Sequence, residues 1–144
     1  MVKNQNYLAS IKQHALECVG LLNELSDKSQ RRLLNETEYL AVQRLLQVLI
    51  ESAIGVAKHW IQTLKVPVRA EAYANFQILY DRKIINDEEL RNWKKIIGLR
   101  NVLVHDYLNV DPDIIRGILN HQFYRMVNEF IDKAFQEIPK LDNY

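Results

Sequence analysis

The chain has 144 residues, the size of one domain, and it is 48% hydrophobic and 26% charged. A formal net charge of +1 excludes strong global attraction to nucleic acid, so any site for a polyanion must be a local patch. One cysteine excludes an internal disulfide, and no run of about 18 apolar residues is present to predict a membrane span. We therefore expect one cytoplasmic domain over residues 1–144.

Apolar residues spaced three and four apart predict two long helices in the first half of the chain. The first helix is followed by a polar connection over residues 26–34. Asn35, with Glu38 three residues later, predicts the start of the second helix, which should reach about Lys65. The apolar stripe of that helix is Val42, Leu46, Leu49, Ala53, Val56 and Trp60.

The second half predicts a short helix followed by two long ones. The short helix covers residues 71–83, and Asp87 is the expected N-cap of the next helix. Asp111 before Pro112 predicts the start of a single last helix that runs to about Glu137. No strand-like alternation is found, so we predict an all-α fold, an antiparallel helical bundle of four long helices plus a short one.

The fourth helix places an arginine inside its own apolar stripe. At about 100° per residue, Trp93, Ile97 and Val104 all lie within roughly 60° of Arg100. A charged group at that position needs a partner or a cleft that keeps it hydrated. His105 diverges from Arg100 by roughly 140°, so the two face one groove only if the helix loosens or a second copy contributes.

Each of these residues also has a structural interpretation. Arg100 fits an ion pair with a carboxylate of the second helix, such as Glu51. His105 fits a histidine at a helix C-terminus, and Tyr107 fits an aromatic residue at the edge of the core. Five basic residues before the motif fit either an RNA-binding patch or a solvated helix face: Arg82, Lys83, Arg91, Lys94 and Lys95.

Other familiar site chemistries find no support in the sequence. It contains no Glu-x-x-His pair of a di-iron bundle, no Cys/His cluster of a zinc site and no Gly-rich phosphate loop. We therefore expect neither a metal site nor a cofactor. The combination of Arg100, His105 and Tyr107 is the unusual feature of the chain.

These three residues form a pattern, Arg100-x4-His105-x-Tyr107, that resembles the R-x4-H-x-Y motif of the HEPN superfamily, in particular the HepT-like toxins of the HEPN/MNT type. The resemblance extends through "WKKIIGLRNVLVHDY" and includes "LIESAIGVAKHWI" in the second helix and "DPDII" at the start of the last. Gly55 departs from the family pattern, which favours an acidic residue there.

The resemblance implies a homodimer that acts as a metal-independent endoribonuclease, the toxin of a type II/VII-like toxin–antitoxin system. The antitoxin would be a nucleotidyltransferase with an MNT domain that transfers AMP onto Tyr107. Arg100 would bind the scissile phosphate of a transfer or messenger RNA, and His105 would act as general acid or base. Asn101 and Asp106 would support them.

Two other functions fit the same residues. A non-catalytic HEPN binding module would contact the nucleotidyltransferase without cutting RNA. A structural dimer would bury a paired Arg100, and a methionine there would then be tolerated or stabilising.

Overall fold

The computed structural model describes the backbone of residues 2–141 and the side chains of residues 6–106 and 108–138. Over this range the chain forms six α-helices, which we number α1 (Val2–Arg31), α2 (Glu36–Thr63), α3 (Ala72–Asp81), α4 (Asp87–His105), α5 (Pro112–Asn120) and α6 (Arg125–Leu141). A 3-10 turn, Tyr107–Asn109, connects α4 to α5. The predicted all-α bundle is confirmed, with four long helices and two short ones.

The central helix of the bundle is α2. It packs against α1 on one side, α6 on another, and α3 and α4 on a third, while α1 also contacts α5 and α6. Its buried residues continue the predicted stripe: Val42, Leu46, Leu49, Ile50, Ala53, Ile54, Val56, Ala57, Trp60 and Ile61. By length and composition alone α2 is also apolar enough to cross a bilayer. Core helices of bundles share that property, so it does not by itself indicate a membrane protein.

The first helix is longer than predicted, because two serines near its end form hydrogen bonds with α5. Residues 26–31 were expected in a connection, but α1 continues to Arg31. The Ser26 hydroxyl is buried and donates to the Leu119 carbonyl at 2.9 Å. Ser29 Oγ donates to Asn120 Oδ1 at 2.8 Å. These bonds satisfy hydroxyls that the sequence pattern alone assigns to a solvent-exposed loop.

The predicted single last helix is wrong, since a turn at residues 121–124 divides it into α5 and α6. Gln122 adopts a left-handed conformation with φ 55°. Its N–H donates to the Leu119 carbonyl at 3.2 Å, and the Phe123 N–H donates to the Ile118 carbonyl at 3.0 Å. This is the Schellman arrangement that ends a helix. Glutamine replaces the usual glycine, so the sequence carries no stop signal.

Two capping boxes set where the long inner helices begin. Asn35 and Glu38 exchange side-chain and backbone hydrogen bonds at the start of α2, as predicted. The same arrangement starts α4, but its N-cap is Asn86 and not the predicted Asp87. Asn86 Oδ1 accepts from the Glu89 N–H at 2.9 Å, and Glu89 accepts from the Asn86 N–H at 3.0 Å. The predicted cap at Asp111 is confirmed.

Aromatic packing fixes the position of α4 in the bundle. The Trp93 ring stacks on Phe76 of α3 with 4.1 Å between ring centroids. It also meets the edge of Phe130 of α6 at 5.1 Å. Arg100 lies seven residues after Trp93, two turns further along the same face. The aromatic cluster therefore determines which surface of α2 Arg100 meets.

Candidate active site at the end of α4

Arg100 pairs with Glu51 of α2 across the helix interface. Its Nη1 lies 3.5 Å from Glu51 Oε1, and the two side chains are 20% and 43% exposed. Its Nε is buried and has no hydrogen-bond partner among the described side chains. The pairing with Glu51, which the sequence left as one interpretation, does occur. The pair sits at the solvent edge of the interface, where both side chains are partly exposed.

His105 is the last residue of α4, and its side chain is exposed. The helix stays regular from Arg100 to His105, and Asp106 then leaves it with φ −147° and ψ 43°. The loosening that would bring Arg100 and His105 together within one chain is therefore absent. Helix geometry keeps their side chains roughly 140° apart. A shared site for these two groups requires a second copy of the chain.

Asn101, Asp106 and Tyr107 lie in different surroundings. Asn101 is exposed on α4. Asp106 stabilises the turn after the helix, because its Oδ1 accepts from Asn109 Nδ2 at 2.6 Å. Its N–H donates to the Val102 carbonyl at 2.8 Å. The backbone of Tyr107 begins the 3-10 turn, but its side chain lies outside the described residues.

Two adjoining grooves lie along α2 beside the motif, and they share Arg44 and Gln47. One has a volume of about 340 Å³ and is lined by Tyr7, Ile11, Arg44, Gln47, Val48, Glu51, Ser52 and Gly55. The other has a volume of about 320 Å³ and is lined by Leu40, Gln43, Arg44, Gln47, Leu103 and Val104. We refer to the two together as the α2 groove.

Sequence reasoning missed Arg44 and Gln47. The signal that finds them is a polar row at positions 44, 47 and 51, spaced three and four apart on a helix whose other face is apolar. The basic residues that were considered instead, Arg82, Lys83, Arg91, Lys94 and Lys95, are all exposed around the start of α4.

Gly55 leaves space for a tyrosine at one end of the α2 groove. A Cβ at this position would lie 3.2 Å from Tyr7 Oη. The Tyr7 ring lies 4.8 Å from the His59 ring, and burial raises the pKa of the Tyr7 phenol above its ordinary value. Any larger side chain at position 55 would therefore require the Tyr7 hydroxyl to shift by a few tenths of an ångström.

Comparison with a family model identifies the family of this chain. The family model described as ribonuclease HepT-like matches residues 15–134. The chain therefore belongs to the HepT-like ribonuclease family.

Relatives with sequence similarity include two named nucleases. The chain is 27% identical over 127 residues to the mRNA nuclease HepT of Shewanella oneidensis, covering 88% of this chain and 92% of that protein. It is 32% identical over 79 residues to the tRNA nuclease HepT of Aphanizomenon flos-aquae, covering 53% and 52% of the two chains.

A solved structure shows the same fold. It is the tri-AMPylated HEPN toxin of Shewanella oneidensis in complex with an MNT antitoxin, with a TM-score of 0.80. The match is 23% identical and covers 91% of this chain and 98% of that one.

Proposed function

We propose that the protein is a metal-independent endoribonuclease, the toxin of a type II/VII-like toxin–antitoxin system. The observation that carries the proposal is the partly exposed side chain of Arg100, which pairs with Glu51 and is followed five residues later by the exposed His105. Family membership supports it, as do the relatives named as mRNA and tRNA nucleases.

The proposed reaction uses the nucleophile that RNA carries. The 2′-hydroxyl attacks the adjacent phosphorus, a base removes its proton, and an acid protonates the leaving 5′-oxygen. The products have 2′,3′-cyclic phosphate and 5′-hydroxyl ends. Arg100 stabilises the charge that builds on the phosphate, because its planar fork matches phosphate oxygens. His105 acts as general acid or base, since an imidazole can both accept and donate a proton.

The catalytic unit is a homodimer of this single domain, residues 1–144. One chain supplies one His105, and the regular helix turns it away from Arg100 of the same chain. A two-fold pair supplies two arginines and two histidines around one cleft. Arg100 of one copy and His105 of the other then complete each site. Asn101 and Asp106 orient the phosphate or the imidazole from the rim.

The proposed regulator is a cognate nucleotidyltransferase of the MNT type that transfers AMP onto Tyr107 in the cytoplasm. The backbone of Tyr107 directly follows the exposed Asp106, and the next residue, Leu108, is 82% exposed. The segment is therefore open to a second protein. An AMP group adds bulk and negative charge beside the cleft, and both oppose entry of RNA. The solved relative that is tri-AMPylated and bound to an MNT antitoxin supports this assignment.

Cleavage by the purified protein in the presence of a chelator tests the proposal. RNA should be cut to cyclic-phosphate ends, and an all-deoxy oligonucleotide of the same sequence should survive. His105→Ala should abolish cutting while the helical circular dichroism stays unchanged. Arg69→Ala, an exposed arginine in the loop between α2 and α3, serves as the matched control and should cut normally.

The alternative is a non-catalytic module that only binds the nucleotidyltransferase. It predicts a stable complex and no cleavage by wild-type protein. Equal cutting by wild type and His105→Ala would contradict the assignment of His105.

A further inference from the structure

The α2 groove lies beside the catalytic motif and is lined by residues next to Arg100 and His105. Glu51 lines one part of it and contacts Arg100. Val104, the residue before His105, lines the other part. Arg44 and Gln47 line both parts, so they stand where the two meet. A chain that follows the groove from Glu51 therefore passes Arg44 before it reaches the end of α4.

Arg44 has no carboxylate partner among the described side chains. It is exposed, and it makes no ion pair or hydrogen bond with any side chain that the structure describes. Arg32 and Arg116 are paired instead, with Glu38 at 2.8 Å and with Asp113 at 3.1 Å. Among the described arginines that make no ion pair, Arg44 is the one that lines the α2 groove. An unpaired guanidinium beside a groove is available for a phosphate, which it binds through its planar fork.

The size and lining of the groove suit a nucleotide. Its two parts have volumes of about 340 and 320 Å³, in the range of small-ligand sites. Gln43 and Gln47 line it next to Arg44, and their amides both donate and accept hydrogen bonds, as base edges require. Arg44 and Glu51 are two helical turns apart, about 10 Å along α2. Arg44 is therefore placed for a different phosphate from the one at Arg100.

We propose that the α2 groove is a nucleotide-binding subsite for RNA, and that Arg44 binds a phosphate flanking the scissile one. This inference rests on the proposed ribonuclease function and adds a substrate contact to it. Arg44 is a binding residue and takes no part in proton transfer. Its loss should raise KM and leave kcat nearly unchanged, because a contact made equally in the ground and transition states is uniform binding.

The salt dependence of RNA binding tests the inference independently of cleavage. The probe is a fluorescein-labelled single-stranded oligonucleotide with a 2′-O-methyl group at every position, which cannot be cut. For wild type and Arg44→Gln, Kd is measured by anisotropy at several salt concentrations. Loss of one phosphate contact should lower the slope of log Kd against log salt by about 0.7 and weaken binding about tenfold at low salt. Arg69→Gln removes the same charge elsewhere and should change neither quantity.

The outcomes separate this inference from the proposed function. A reduced slope supports the subsite even if the wild type cuts no RNA, in which case only the catalytic assignment fails. An unchanged slope, or no binding of the probe by wild type, overturns the subsite. Light scattering of the same samples measures the oligomeric state and so tests the alternative that the groove is a contact between two copies. The exposed apolar residues Leu40 and Val104 also border the groove. If Arg44→Gln separates a wild-type dimer into monomers, the groove is an interface between copies and the inference is wrong.

Discussion

Replacing Arg100 by methionine should separate activity from stability. Methionine keeps most of the aliphatic length that packs between α4 and α2 and removes the guanidinium. Removing one group that stabilises charge in a transition state costs about 100- to 1000-fold in rate. Cleavage by Arg100→Met should therefore fall by at least about 100-fold.

The stability of this variant should change little. The ion pair to Glu51 is 3.5 Å long, with 20% of the Arg100 side chain and 43% of the Glu51 side chain exposed. Pairs in such surroundings contribute about 0–1 kcal/mol. Glu51 is exposed enough to be solvated once its partner is gone. The buried Nε, which has no partner among the described side chains, is removed as well, which offsets part of the loss. The melting temperature should stay within about 4 °C of wild type.

The two quantities are measured on one preparation, by initial cleavage rates of labelled RNA and by thermal unfolding followed with circular dichroism. Arg69→Met is the control for removing an exposed arginine. Arg100→Lys keeps the charge but loses the planar fork, so its cleavage rate should lie between those of the wild type and Arg100→Met. Cleavage by Arg100→Met within threefold of wild type would refute the catalytic role. A loss of stability above about 3 kcal/mol would contradict the solvated environment assigned to Glu51, because only a desolvated carboxylate depends that strongly on its partner.

Three further predictions concern acid stability, helix ending and regulation. Arg32 holds the pKa of Glu38 at about 2, below its ordinary 4.5. Ionised Glu38 therefore stabilises the fold fully above pH 4.5, and this stabilisation is lost as the pH falls toward 2. The loss in free energy of unfolding caused by Glu38→Gln, measured by urea unfolding, should shrink over that range. Lys65 ends α2 with φ 59°, so Lys65→Gly should raise the free energy of unfolding by about 0.5–1 kcal/mol, and a decrease would contradict the strain argument. Tyr107→Phe, co-expressed with the nucleotidyltransferase, should gain no AMP mass and stay active; AMP found on another residue would reject the assigned site.

Periodicity predicted the bundle because each long helix has a clear apolar stripe, but it placed the helix ends less well. Three helices end in a left-handed residue that is not glycine, at Lys65, Lys83 and Gln122. The stop after α5 depends on backbone hydrogen bonds, and no residue type at Gln122 announces it. The far end of α1 was missed for another reason. Ser26 is buried by a contact with Leu119, 93 residues away, and no local pattern reports such a contact.

The candidate site was predicted only as far as one helix carries it. The motif on α4 places Arg100 near the apolar face and turns His105 away, and the structure has both on a regular helix. The polar row of α2 can be read from the sequence, but its position beside the motif depends on how α4 packs on α2. The role of Arg44 therefore could not be predicted from the sequence alone. Glu51 was named from the sequence, but only as one carboxylate among several.

The looseness of the Arg100–Glu51 pair fits the proposed role of Arg100, because an arginine near the core must keep donors available for a phosphate. A fully apolar α2 would leave the charge desolvated, and a tight bidentate pair would occupy the two parallel N–H donors that suit a phosphate. The structure has neither: α2 buries Ile50 and Ile54 on either side of Glu51 and leaves the carboxylate itself at the solvent edge. By contrast, Arg32 makes two hydrogen bonds of 2.8 Å to Glu38, which is the geometry of a bidentate ion pair. At 3.5 Å, Glu51 pairs with the guanidinium without a short hydrogen bond. A phosphate that accepts two short hydrogen bonds from Arg100 therefore displaces a weaker carboxylate contact than it would at Arg32.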